Sequence, residues 1–180
     1  MQTDTRGRLV RILLAATAFC LTACNPTFNW RESRLGETAL LGLMPCKPDT
    51  VSREVPFVHG ANARLTVASC EVGELTFALS TADVGDARLA AASLVQWQQV
   101  VVQHWLLKPP QTPVPMKLER ADPPVLRWRA QGMRGAEVLA VEVAFFSSGS
   151  QLYQAAIIAK SPQSLNTDIS ETFFGGLKLQ

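Results

Sequence analysis

The chain has 180 residues, 17 of them Lys or Arg and 15 Asp or Glu, and 47% of it is hydrophobic. That suits one domain with a substantial core and excludes a disordered chain, which would be poorer in apolar residues. The slight positive excess lies at Arg6, Arg8 and Arg11 against Asp4, and from residue 24 onward acidic and basic residues are equal in number. Such a neutral body speaks against nucleic acid, which needs a clustered basic surface.

Behind the three arginines, Ile12 to Phe19 form a short apolar run that closes on Leu21-Thr22-Ala23-Cys24. A membrane-spanning helix needs roughly 20 apolar residues, and this uncharged run ends at Asn25-Pro26. The segment resembles a bacterial lipoprotein signal peptide more than an uncleaved anchor or an ordinary secretory signal. The resemblance implies that residues 1–23 are removed and that Cys24 carries acyl chains, palmitate among them. Two or three chains hold a protein far more firmly than one, at about 0.8 kcal/mol per buried methylene. Asn25 after the lipidated cysteine, where aspartate would retain the product at the inner membrane, implies the outer membrane, facing the periplasm. Residues 24–39 are then the lipidated cysteine and a polar, irregular tether, and 40–180 one domain. Phe28 and Trp30 within the tether are expected to pack on the domain edge rather than enter the headgroup region.

With Cys20 lost and Cys24 lipidated, Cys46 and Cys70 are left as a pair in an oxidising compartment. A disulfide between them closes a loop of about 25 residues and stabilises the fold by roughly 3 kcal/mol. A redox or metal pair is the weaker alternative, because no Cys-x-x-Cys spacing is present.

Three short β-rich runs follow, Val51–Val55, Arg64–Ala68 and Glu74–Leu79, divided by His59-Gly60-Ala61-Asn62 and Val72-Gly73. Pro45, Pro48 and Pro56 cannot donate to a ladder, so the first strand should be broken or lie at an edge. A hairpin about Val72-Gly73 sets Cys70 opposite Leu75 and Ala68 opposite Phe77. Either Asp83 or Asp86 can cap a helix. Ala87 to Leu107 then runs without Gly or Pro, and Leu94, Trp97, Val101 and Trp105 recur at helical spacing. This stripe, with His104 beside it, reads as core more readily than as a cofactor or metal site.

Pro109, Pro110, Pro113, Pro115, Pro123 and Pro124 mark a long connection that is neither helix nor inner strand. Val125–Ala130 alternates, with Leu126, Trp128 and Ala130 on one face and Arg127 and Arg129 on the other. Gly132-Met-Arg-Gly135 turns the chain into Glu137–Phe146, and Ser147-Ser-Gly-Ser150 into Gln151–Lys160. In the register expected, Tyr153, Ala155 and Ile157 oppose Phe145, Val143 and Val141. The other face then carries Ala140, Ala144, Phe146, Leu152, Ala156 and Ile158, interrupted by Glu142 and Gln154. Both faces are apolar enough to require cover, which predicts helices on each side. Ser161-Pro162 opens a last helix with Leu165, Ile169 and Phe173 as its stripe. Gly175-Gly176 end it, and Leu177-Lys-Leu179 is a short strand or pendant.

The reading is thus α+β, an antiparallel sheet flanked by a long central helix and a C-terminal helix, in the order β-β-β-α-β-β-β-α. The stretch Leu152-Tyr-Gln-Ala-Ala-Ile-Ile and the ending Glu171-Thr-Phe-Phe-Gly-Gly-Leu-Lys-Leu179 resemble the close of PsbP-like domains. That family includes periplasmic lipoproteins of the phage-sensitivity type. The likeness covers about the last 30 residues and implies a fold and an assembly or protein-binding role, without transferring any site residue.

No Gly-x-Ser-x-Gly elbow, P-loop, Gly-x-Gly-x-x-Gly or His-Glu-x-x-His occurs, and Ser147, Ser148 and Ser150 form a polar hairpin tip. No catalytic residue, metal or cofactor is therefore assigned, and the protein reads as non-enzymatic. Arg127 and Arg129 are the candidate contacts for an anion or a partner, against the plainer reading of a strand face paired with nearby carboxylates. The function expected is that of a membrane-anchored periplasmic lipoprotein that binds an envelope protein. The alternative is a carrier of a lipid or small ligand, held between the Trp97–Trp105 helix and the sheet with Arg127 or Arg129 at the mouth. The partner reading predicts an exposed apolar patch beside the proline-rich connection. The carrier reading predicts a pocket of several hundred Å3 beside the long helix.

Overall fold

The computed structural model describes residues 28–57, 62–108 and 112–180. Residues 1–27, with the expected signal peptide and Cys24, and also His59, lie outside them. Among the described residues ten strands and two helices follow in the order β1 (Arg31–Arg34), β2 (Leu40–Met44), β3 (Asp49–Pro56), β4 (Asn62–Val72), β5 (Leu75–Asp83), α1 (Ala87–His104), β6 (Thr112–Pro113), β7 (Asp122–Arg134), β8 (Glu137–Ser148), β9 (Gln151–Ala159), α2 (Thr167–Gly175) and β10 (Lys178–Leu179). The architecture is α+β. One antiparallel sheet has the order β3-β4-β5-β9-β8-β7-β6, and a small one the order β1-β2-β10.

The prolines about β3 act as expected. The chain breaks at Cys46-Lys47-Pro48 between β2 and β3, which belong to different sheets, and β3 is an edge strand. Pro123 and Pro124, expected in a connection that is no inner strand, instead lie in β7 itself, where its pairing with β8 shifts register between Asp122 and Leu126. The segment expected to be an irregular tether instead supplies β1, which pairs with β2. Phe28 and Trp30 stack on each other and meet Phe77 edge-on, at 6.2 and 5.7 Å between ring centroids. They pack on the domain, and their apolar surface holds this stretch in place.

Hairpin turns set the registers. Gly73 (φ 59°) and Glu74 make a two-residue loop closing on Val72 and Leu75, so Cys70 opposes Phe77 and Ala68 opposes Leu79. The shift from the expected register is two residues, and Cys70 keeps its face. In the β8–β9 hairpin the loop is Gly149 (φ 59°) and Ser150, and Ser148 pairs with Gln151. A two-residue loop pairs residues of opposite parity, so Tyr153, Ala155 and Ile157 oppose Phe146, Ala144 and Glu142 rather than the residues expected. One step of register moves every side chain to the other face. Gln154, expected beside Glu142, is therefore on the opposite side of the sheet.

Two cores result. On one face Leu139, Val141, Val143 and Phe145 of β8 pack with Leu94, Trp97 and Val101 of α1. On the other, Phe146, Tyr153, Ala155 and Ile157 pack with Phe77, Phe173 and Phe174 and with Leu40 and Met44 of the small sheet. Cys46, just past β2, is bridged to Cys70 in β4, with Cα atoms 6.0 Å apart, so the disulfide ties the small sheet to the large one.

Local capping explains the helix limits. Asp86 accepts the Arg88 N–H to start α1. α1 ends at His104, and Leu106 turns the chain with φ of 47°. The expected turn at Gly132 is instead strand, because β7 continues to Arg134 and the loop is Gly135-Ala136. Gly132 serves a close approach: a Cβ there would lie 2.3 Å from the Trp105 carbonyl oxygen and 2.6 Å from Leu107 Cδ2. The Met133 N–H donates to that carbonyl at 2.8 Å, and the Lys108 N–H donates to Gln131 at 2.8 Å. The end of α1 is thereby docked onto β7. Before α2, Pro162–Ser164 form a 3-10 turn, and the cap is Asn166, accepting the Ile169 N–H, rather than Ser161. Ser161 instead donates to Glu74 at 3.3 Å.

Candidate ligand groove

A helix is roughly 10 Å across and strands lie about 4.8 Å apart, so one helix covers only two or three strands. The core beneath α1 draws mainly on β7, β8 and β9, with only Ala63 at the start of β4 and Ala82 near the end of β5 joining it. The flank of that face formed by β3, β4 and β5 is left open, and there a groove of about 310 Å3 runs between sheet and helix. Val55, Leu65, Val67, Ala78 and Ile158 form its floor, all half-buried. Trp97, Val100, Val101 and Trp105 supply the helix wall, and Phe57 meets Trp97 edge-on at 5.8 Å.

Few polar groups open onto this surface. Arg53 and His104 line the groove from exposed positions, and the His104 ring lies 5.9 Å from that of Trp105. Deeper in, Gln154 is 8% exposed and its Nε2 has no hydrogen-bond partner among the described residues. Gln96 on α1 likewise has a buried Oε1 without a partner. Both side chains line the groove. Buried polar atoms are nearly always paired, so two open amides in one apolar concavity stand out. Two hollows of about 450 and 440 Å3 occur elsewhere, one bordered by Lys117, Glu119, Arg120 and Lys178 and the other by Lys108 and Arg129. The smaller groove fits the chemistry of a ligand site better, because its walls are aromatic and branched and its polar groups converge.

Arg127 and Arg129 share a face, as their spacing predicts, but it is the face opposite the groove. Arg127 is buried, and its Nε donates to Glu142 Oε1 at 2.7 Å while its Nη2 meets Glu171 at 2.9 Å. Arg129 donates to the second Glu142 oxygen, which also accepts Ser170 Oγ at 2.6 Å. The Arg127 guanidinium lies 4.2 Å from the Phe174 ring centre. Glu142 thus takes the place an exogenous anion would have had, and Arg127 through Glu171 and Glu142 through Ser170 fasten α2 to the sheet. Neither stands at the mouth of the groove, where Arg53 and His104 are found instead. The one-step register change that separates Gln154 from Glu142 is the physical reason that one interruption of the apolar pattern lies in the ion cluster and the other in the groove.

Sequence reasoning located the Trp97–Trp105 wall but missed Gln154 and Gln96 as groove residues. Gln154 was visible as a polar interruption in an apolar strand. Gln96 carried no such signal, because a glutamine on a partly exposed helix is ordinary. Among the described residues no three potential metal ligands cluster, and no helix is long and apolar enough to cross a membrane. Comparison with known proteins finds no matching family model, no matching curated protein and no matching solved structure, so the groove is read from its own geometry.

Proposed function

We propose that this is a lipid-anchored envelope protein whose domain binds a small apolar ligand in the groove between α1 and strands β3, β4, β5 and β9. The observation that carries the reading is the groove itself, about 310 Å3 of mostly apolar concavity beside the long helix. That is near the lower end of the range for small-molecule sites, about 300–1,000 Å3. It is a carrier or sensor reading and calls for no catalytic group. The anchoring follows from the likeness of Leu21–Cys24 to a lipobox, and with it a place at the outer membrane facing the periplasm.

An alkyl diazirine photolabel applied to the full chain in lipid vesicles tests the groove. Cross-links are expected on α1 between Gln96 and Trp105 and on β9 between Gln154 and Ile158. Ala78→Phe, which fills the floor, should abolish them. Labelling confined to other surfaces, or unchanged by Ala78→Phe, would sink the proposal. Cys24→Ser tests the anchor separately: the protein should leave the membrane fraction, and continued membrane association would refute lipidation.

A partner-binding role keeps one supporting observation. β3 presents an exposed eight-residue edge, and a free edge can pair with a strand from another protein. The apolar patch that this reading placed beside the proline-rich connection has a different fate, since Met116 and Leu118 pack against the core. Cross-linking in native membranes should trap an envelope protein through β3 if the edge is used, and recovery of the chain alone would discard this role.

A further inference from the structure

The two open amides narrow the ligand class, an inference that rests on the groove being a ligand site. Gln154 Nε2 is a donor and Gln96 Oε1 an acceptor, both buried and without partners among the described residues. A purely apolar ligand would leave them unpaired, and each unpaired buried group keeps its full desolvation cost. An anionic ligand group pairs with the Gln154 donor but sets its charge against the Gln96 oxygen in apolar surroundings. As the two side chains are placed, one donor and one acceptor open into the groove, so the pair as a whole asks for complementarity of both kinds. We infer that the groove takes a neutral amphiphile bearing one group that both donates and accepts hydrogen bonds, a carboxamide or a hydroxyl, seated between Gln154 and Gln96 with its hydrocarbon along Leu65, Val67 and Ile158.

Position supports this assignment. Gln154 lies in the interior strand β9, opposite Phe145 on one side and Ser80 on the other. Its α-carbon is therefore fixed by two ladders, and only the amide end is free to adjust. The exposed Arg53 and His104 at the mouth could meet a charged head only outside this buried pair.

The experiment uses the full chain in vesicles, with the alkyl diazirine label displaced by dodecanamide, dodecanol, methyl dodecanoate and dodecanoate. The amide and the alcohol should compete at about tenfold lower concentration than the carboxylate, the ratio that one or two hydrogen bonds give. The ester, which accepts but cannot donate, should fall between. Gln154→Leu should abolish the preference while labelling persists, and should raise the melting temperature of the unliganded protein by removing an unpaired buried amide. Equal competition by all four compounds would overturn this inference and leave the apolar-ligand reading intact. Stronger competition by the carboxylate, lost in Arg53→Ser, would overturn it in favour of an anionic head at the mouth. A lowered melting temperature in Gln154→Leu would mean that the amide is already paired in the fold, which also overturns it. Absence of groove labelling in the unmodified protein would remove both readings together.

Discussion

Glu142 sits inside β8 with its side chain fully buried, held by Arg127, Arg129 and Ser170. Burying a charge is costly unless partners surround it, and removing one partner leaves another uncompensated. Glu142→Gln should therefore destabilise the domain by about 3–5 kcal/mol, measured by urea unfolding. Replacing the pair together, Arg127→Met with Glu142→Leu, should recover much of that loss, because packed apolar side chains serve as well as a buried ion pair. Tyr153 tests the same core from the alkaline side. Burial pushes its phenol above the ordinary value, with the Thr38 hydroxyl and the Ala39 backbone pulling partly back. The unfolded phenol titrates near 10, so this contribution is complete below about pH 10 and is lost as pH rises toward the higher folded value. Urea unfolding at pH 8 and 10.5 should show an alkaline loss of stability that is smaller in Tyr153→Phe.

At the scale of elements, the docking of α1 on β7 depends on the missing side chain at Gly132. Gly132→Ala would drive a Cβ into the Trp105 carbonyl and Leu107. Overpacking of this kind costs typically about 1–3 kcal/mol, and the Met133–Trp105 hydrogen bond should loosen with it. Amide hydrogen exchange checks this directly: faster exchange is expected at Met133 and through the last turn of α1. Much of the element pattern was legible locally. Leu94, Trp97 and Val101 mark the buried stripe of α1, and the prolines about β3 mark an edge. The β8–β9 register was not legible in that way. Both faces of those strands are apolar, so hydrophobicity alone could not choose between registers one residue apart, and the two-residue Gly149-Ser150 turn decided it.

For the molecule as a whole, the Cys46–Cys70 bridge joins the small sheet to the large one. Cys46→Ser should lower stability by roughly 3 kcal/mol, which for a chain of this size is about 6–12 °C in melting temperature. Differential scanning calorimetry of oxidised and variant protein checks it, and reduction should erase the difference. The α+β class, the pairing of Cys46 with Cys70 and the long helix could be read from the chain itself, because periodicity, turn residues and cysteine number are local or countable properties. Only the tertiary structure decided that Arg127 and Arg129 meet Glu142, and that Gln154 and Gln96 open into one groove. Those outcomes depend on strand register and on which strands a single helix leaves uncovered, and both arise from contacts between residues far apart in sequence.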